Sequence, residues 1–138
     1  MMCTKKINKK FLLEIYKERI KKELEEENIK YILVNDKLVD IFVIPTKNYI
    51  GSIACDFNED EEILIHYIFA TYEEIKKTKK EIIKEVKKID DKIISDIKLI
   101  EEDYLKTCFI AQKKRSSFSG TDVINDFVKL EKIWSSCI

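Results

Sequence analysis

The sequence predicts an α+β fold: an antiparallel sheet of about five to six strands with N-terminal, middle and C-terminal helices, in the order helix, strands, helix, hairpin, helix. Three observations lead there. Apolar residues recur every three to four positions over Lys5–Glu27 and again toward the C-terminus. Between Ile29 and Ala70 the period falls to two. The 138 residues are 45% hydrophobic, enough for one core, so residues 1–138 are read as a single α+β domain.

The first helix is read over Lys5–Glu27. Ile7, Phe11, Ile15 and then Leu12, Tyr16, Ile20, Leu24 form its apolar stripe, and Asn28 suits its C-terminal cap. Tyr31–Val34 is a first strand, followed by a turn signal at Asn35-Asp36-Lys37. Leu38–Ile44 is a second, stopped by Pro45, which cannot donate to a ladder. Asn48–Phe57 alternates as a third. The acidic stretch 58–62 is a turn, and Ile63–Ala70 is a fourth strand, apolar on both faces. A strand of that kind is central and covered on both sides.

A helix is expected to open near Thr71 or Tyr72, with Glu73 and Glu74 in its first turn and Ile75, Ile82, Val86 and Ile89 on its stripe. Residues 93–104 read two ways. Apolar positions continue at helical spacing to Tyr104, as in a long helical arm. Alternatively the helix ends near Asp90 to Ile94 and a hairpin follows at 96–100 and 104–112, where β-branched and aromatic residues gather. The hairpin is preferred. Residues 113–120 read as a polar loop. Ser119-Gly120-Thr121-Asp122 opens the last helix, with Val123, Phe127, Leu130, Trp134 and Cys137 on one face.

Composition excludes several functions. Lys and Arg number 26, Asp and Glu number 26, and the net charge is zero, whereas nucleic-acid binders working through bulk charge are basic. The two glycines lie too far apart for a phosphate loop. Cys3, Cys55, Cys108 and Cys137 have no CxxC spacing. Lys5, Lys6, Lys9 and Lys10 resemble a basic n-region, but Glu14 breaks the apolar run that follows. No run approaches the roughly 18 apolar residues of a membrane span. A cytoplasmic protein with reduced cysteines is expected. The bias toward Ile, Lys and Glu fits an AT-rich genome and heat adaptation equally.

No pattern implies catalysis, a cofactor or a metal. Asp56-x-Asn58-x-Asp60-x-Glu62 begins like a calcium loop, but Glu61 stands where glycine is needed and Tyr67 where the bidentate Glu is needed. His66 is the only histidine and shares a strand face with Leu64 and Ile68, which suits a packed residue. The residues expected to meet a partner are Trp134, because tryptophan is enriched at binding hot spots, and the basic cluster Lys113, Lys114 and Arg115, with Phe118 nearby.

The chain resembles the type III secretion chaperone-like fold, in particular the YbjN-type sensory transduction regulators. The likeness is one of pattern and runs from about residue 7 to 136. Glu27-Asn28-Ile29-Lys30-Tyr31 looks like the family's lead into strand one, with Asn28 where the family has glycine. Asn48-Tyr49-Ile50-Gly51-Ser52-Ile53 and Ile63-Leu64-Ile65-His66-Tyr67 look like its central hairpin. Tyr72-Glu73-Glu74-Ile75 resembles the opening of its middle helix. Ile97–Ala111, with its acidic turn at 101–103, resembles the next hairpin, and Ser119-Gly120-Thr121 the start of the final helix. The resemblance implies a non-enzymatic, protein-binding and homodimeric protein. Secretion chaperones are acidic and this chain is neutral, which disfavours a secretion role.

The expected function is therefore a small non-enzymatic protein-binding module, chaperone- or regulator-like. Helices would cover one sheet face, and the other face or an edge would take a protein segment or a second copy by apolar docking and strand pairing. The alternative is a nucleic-acid-associated protein using segments 5–10 and 113–115, which would need to converge on one surface.

Overall fold

The structure is a computed structural model and describes residues 2–36, 39–57, 62–71, 73–99, 107–115 and 120–138. The described residues form three helices and one six-stranded antiparallel sheet. The helices are α1 (Met2–Glu26), α2 (Lys79–Ile89) and α3 (Gly120–Ser135). The strands are β1 (Ile32–Asp36), β2 (Val39–Pro45), β3 (Ile50–Phe57), β4 (Ile63–Thr71), β5 (Ile94–Leu99) and β6 (Thr107–Arg115).

The sheet order is β1-β2-β3-β4-β6-β5. The first four strands form a meander. Both β4 and β5 run antiparallel to β6, so β4 and β5 point the same way. Parallel strands need a crossover, and α2 supplies it. The hairpin reading, with strands at 96–100 and 104–112, is the one the fold adopts, its second strand lying three residues later, at Thr107–Arg115. β4 is central, as its apolar character predicts.

α1 ends through Asn28, whose φ of 56° is left-handed backbone, and the Ile29 N–H donates to Leu24 O at 2.9 Å. Asn reaches that conformation because its short polar side chain tolerates it. Tyr16, Ile20 and Leu24 face inward, while Phe11 is exposed. At about 1.5 Å per residue α1 is roughly 38 Å long, whereas the longest strands span about 30 Å. α1 is thus longer than any described strand, and Phe11 on it is 64% exposed.

α2 begins at Lys79 and not near Thr71. Thr71 Oγ1 instead accepts from the Glu73 N–H at 3.2 Å, and the Lys76 N–H donates to Cys137 O at 2.5 Å. Glu73 and Glu74 therefore precede the helix. Thr78 is the N-cap, its hydroxyl accepting from the Glu81 N–H at 3.2 Å. Residues 113–115 lie in β6 and are not a loop, because β4 is long enough to pair with all of them: Ile63 faces Arg115 and Ile65 faces Lys113.

All three helices pack on one face of the sheet. Ile53, Ile65, Tyr67, Phe69, Phe109 and Ala111 meet Ile82 and Val86 of α2 and Val123, Phe127, Leu130 and Trp134 of α3 in one buried cluster. The aromatic rings join in sequence. Phe69 stacks on Phe127 at 5.1 Å and meets Phe109 edge-on at 5.9 Å, and Phe109 meets Trp134 edge-on at 5.5 Å. A cluster of this kind adds about 0.5–1.5 kcal/mol per pair beyond area burial.

Candidate functional site: the open face of the sheet

The opposite face has no described element packed on it. The sequence predicts that β4 is covered on both sides, but Leu64, His66 and Ile68 are only half-buried. Antiparallel sheets tolerate one solvated face; this one is unusual for being apolar.

The register assembles it row by row. One row runs Val34, Ile41, Ala54, His66, Gln112, Ile94 across β1, β2, β3, β4, β6 and β5. The next runs Ile32, Val43, Ser52, Ile68, Ile110, Asp96. Eight of these twelve positions are Ala, Val or Ile. Ile94 is 69% exposed, Ile32 59% and Val34 42%.

Polar groups in the middle of the face are satisfied among themselves. The Gln112 amide nitrogen lies 3.1 Å from His66 Nδ1. The contact joins the amide of β6 to the ring of β4 across the open face. Burial holds the His66 pKa below 6.5, against a smaller opposing pull from Asp56. The register neighbours of His66 are Ala54 and Gln112, so no nucleophile stands opposite it. The Ser52 hydroxyl donates to Ile68 O at 3.5 Å. Toward β5 the face dips into a concavity of about 410 Å³, lined by Leu64, Ile94 and Gln112 with Lys92 and Lys114. It is apolar at its base and cationic at its rim.

A second, smaller concavity of about 180 Å³ lies between α1 and β2–β3. Three of its charged groups pair with one another. Lys17 Nζ lies 2.8 Å from Glu14 and 3.4 Å from Asp40, and Asn35 Nδ2 donates to Asp40 at 2.9 Å.

The residues singled out in the sequence are scattered. Trp134 is wholly buried, edge-on to Phe109, with its Nε1 unpaired among the described residues. Within the chain it is a packing residue. Lys113 points to the helix side, where it is ion-paired with Asp90 at the end of α2 and lies 3.6 Å from Asp126 of α3. Lys114 is exposed on the opposite side, 3.9 Å from Glu62. The side chains of residues 5–9 and of Arg115, and all of Phe118, lie outside the described residues. Strand alternation thus divides the basic cluster, and Lys113 is unavailable to a phosphate backbone. The residues of this candidate surface that sequence reasoning missed are Ile94, Ile110 and Lys92. The signal was the period-two alternation of 94–112, which places Ile94, Ile110 and Gln112 together once the hairpin is accepted.

Among the described residues no group of three or more His, Cys, Asp or Glu side chains could hold a metal ion. No described helix is long and apolar enough to cross a membrane. Comparison with protein-family models, with curated proteins and with solved structures gives no match.

Proposed function

We propose that the chain is a non-enzymatic protein-binding module, chaperone- or regulator-like, that docks an apolar protein segment on the open face of its sheet. The observation that carries this reading is the pair of largely apolar rows running in register across the six strands with no described helix over them. Contiguous exposed apolar surface of this kind marks an interaction site. The rim sets the partner's chemistry. Lys92 and Lys114 flank the Leu64–Ile94 concavity, so a segment with aliphatic anchors and a neighbouring carboxylate fits best. Affinity comes from desolvating the anchors, and the lysines select orientation.

Screening the full chain against a displayed library of random peptides tests it. Enrichment of aliphatic sequences carrying Asp or Glu is expected. Ile68→Lys, in the centre of the face, should abolish that binding while circular dichroism stays unchanged. If the wild-type chain enriches no such sequences, or Ile68→Lys binds them equally well, the reading fails.

A further inference from the structure

The sheet has two edges, β1 and β5, and they differ in character. Folded proteins protect edge strands with charge, proline, bulges or covering elements, because an open edge is a template for another strand. β5 is protected in this way. Asp96 pairs with Lys79 of α2 at 2.5 Å, Lys98 follows two residues on, and α2 packs against the strand. β1 has none of these devices between Ile32 and Val34. Its three residues Ile32, Leu33 and Val34 are consecutive, apolar and exposed. Its pairing with β2 is one-to-one, without a bulge.

We propose that β1 pairs antiparallel with β1 of a second copy about a two-fold axis through Leu33. The sequence selects this occupant and this register. In an antiparallel pair, hydrogen-bonded and non-hydrogen-bonded positions alternate. A two-fold axis must map each pair onto one of its own kind, so one residue must face itself. With Leu33 on the axis, Ile32 faces the partner's Val34, Tyr31 faces the partner's Asn35, and Lys30 faces the partner's Asp36. The aliphatic residues meet one another, Leu33 against Leu33 and Ile32 against Val34. Moving the axis to Val34 sets Leu33 against the partner's Asn35. Moving it to Ile32 sets Val34 against the partner's Lys30. Cross-strand matches of this sort decide register. The chain's zero net charge adds no overall repulsion between copies.

The pairing would join two sheets into one and bring the Ile32 and Val34 ends of both apolar rows together. It uses the edge and not the centre of the open face, so it stands or falls separately from peptide docking. The test is sedimentation of the full chain at micromolar concentration, combined with cysteine cross-linking in a Cys3→Ser background. The wild-type chain should be a dimer. Leu33→Cys should form an intermolecular disulfide, since directly opposed residues lie about 4.5–5.5 Å apart between Cα atoms, within disulfide reach. Ile32→Cys mixed with Val34→Cys should cross-link better than either alone. Val34→Lys should weaken the dimer at least about tenfold with unchanged circular dichroism, whereas Ile68→Lys should leave it intact. A monomeric wild-type chain would overturn the proposal, as would a dimer that Val34→Lys does not weaken or that Leu33→Cys does not link.

Discussion

Lys113 and Lys114 are adjacent in sequence and opposite in role, because a strand turns successive side chains to opposite faces. Lys113 is 11% exposed and sits between Asp90 and Asp126, and Asp126 in turn accepts from the buried Tyr67 hydroxyl at 3.5 Å. One cation therefore ties β6 to the end of α2, to α3 and, through Asp126, to β4. The hydrogen bond from Lys113, followed by one from the Lys92 N–H, holds the Asp90 carboxyl below its usual value. Removing a buried cation leaves its carboxylates uncompensated, which costs more than the pair contributed. Lys113→Met is expected to lose about 3 kcal/mol of unfolding free energy. Lys114→Met, an exposed lysine beside exposed Glu62, should change it by less than about 0.5 kcal/mol. Urea denaturation midpoints of the two variants check this. Equal losses would mean that Lys113 is not an internal counter-ion.

Between elements, neither glycine leaves room for a side chain. A Cβ at Gly51 of β3 would lie 2.9 Å from Phe127 Cζ, in a ring already stacked on Phe69. At Gly120, the first residue of α3, a Cβ would press on the backbone carbonyl of Arg19 in α1. An aromatic ring can shift slightly, whereas a helix backbone cannot move without its whole helix. Gly51→Ala should thus cost about 1–3 kcal/mol through overpacking, and Gly120→Ala should cost more, measured by the same urea midpoints. Gly120→Ala behaving like a neutral surface change would show that α1 and α3 do not meet as closely as drawn. The elements themselves were largely readable in the sequence. Alternation located β3, runs of strand-forming residues bounded by turn signals located β1, β2 and β4, and the spacing of Val123, Phe127, Leu130 and Trp134 located α3 and its buried face. Two things were not readable. The start of α2 was placed too early because Ile75 fits the helical stripe, although Thr78-x-x-Glu81 is a capping pattern that marks the true start. The open face was hidden because an apolar strand looks the same whether its second face is packed or left bare, and only the topology shows that all three helices lie on one side.

Across the whole molecule, three cysteines sample three different parts of the fold. Cys55 lies beneath α1 at the smaller concavity, Cys108 lies in β6, and Cys137 follows α3, where its carbonyl accepts from the Lys76 N–H. All three are free thiols. Burial pushes the Cys55 pKa up to about 12, with Asp56 adding to it, and burial likewise raises Cys108 and Cys137. Thiolate is the reactive form, so all three thiols are protected by ionisation, and Cys108 and Cys137 by burial as well. If residues 1–138 behave as one cooperative domain, the three thiols become reactive only when the common core opens. In a Cys3→Ser background, thiol labelling in native buffer should be slow at all three positions. Its rate should rise with urea in parallel for all three, following the loss of Trp134 burial as read by fluorescence. Cys137 is the most demanding case, because it lies just past the end of α3 and helix ends fray first. Its protection depends on the Lys76 contact and on α3 staying seated against the sheet. Labelling of Cys137 well ahead of Cys55 and Cys108 would show that α3 opens on its own, and the single-core description would have to give way to a sheet with a separately mobile helix.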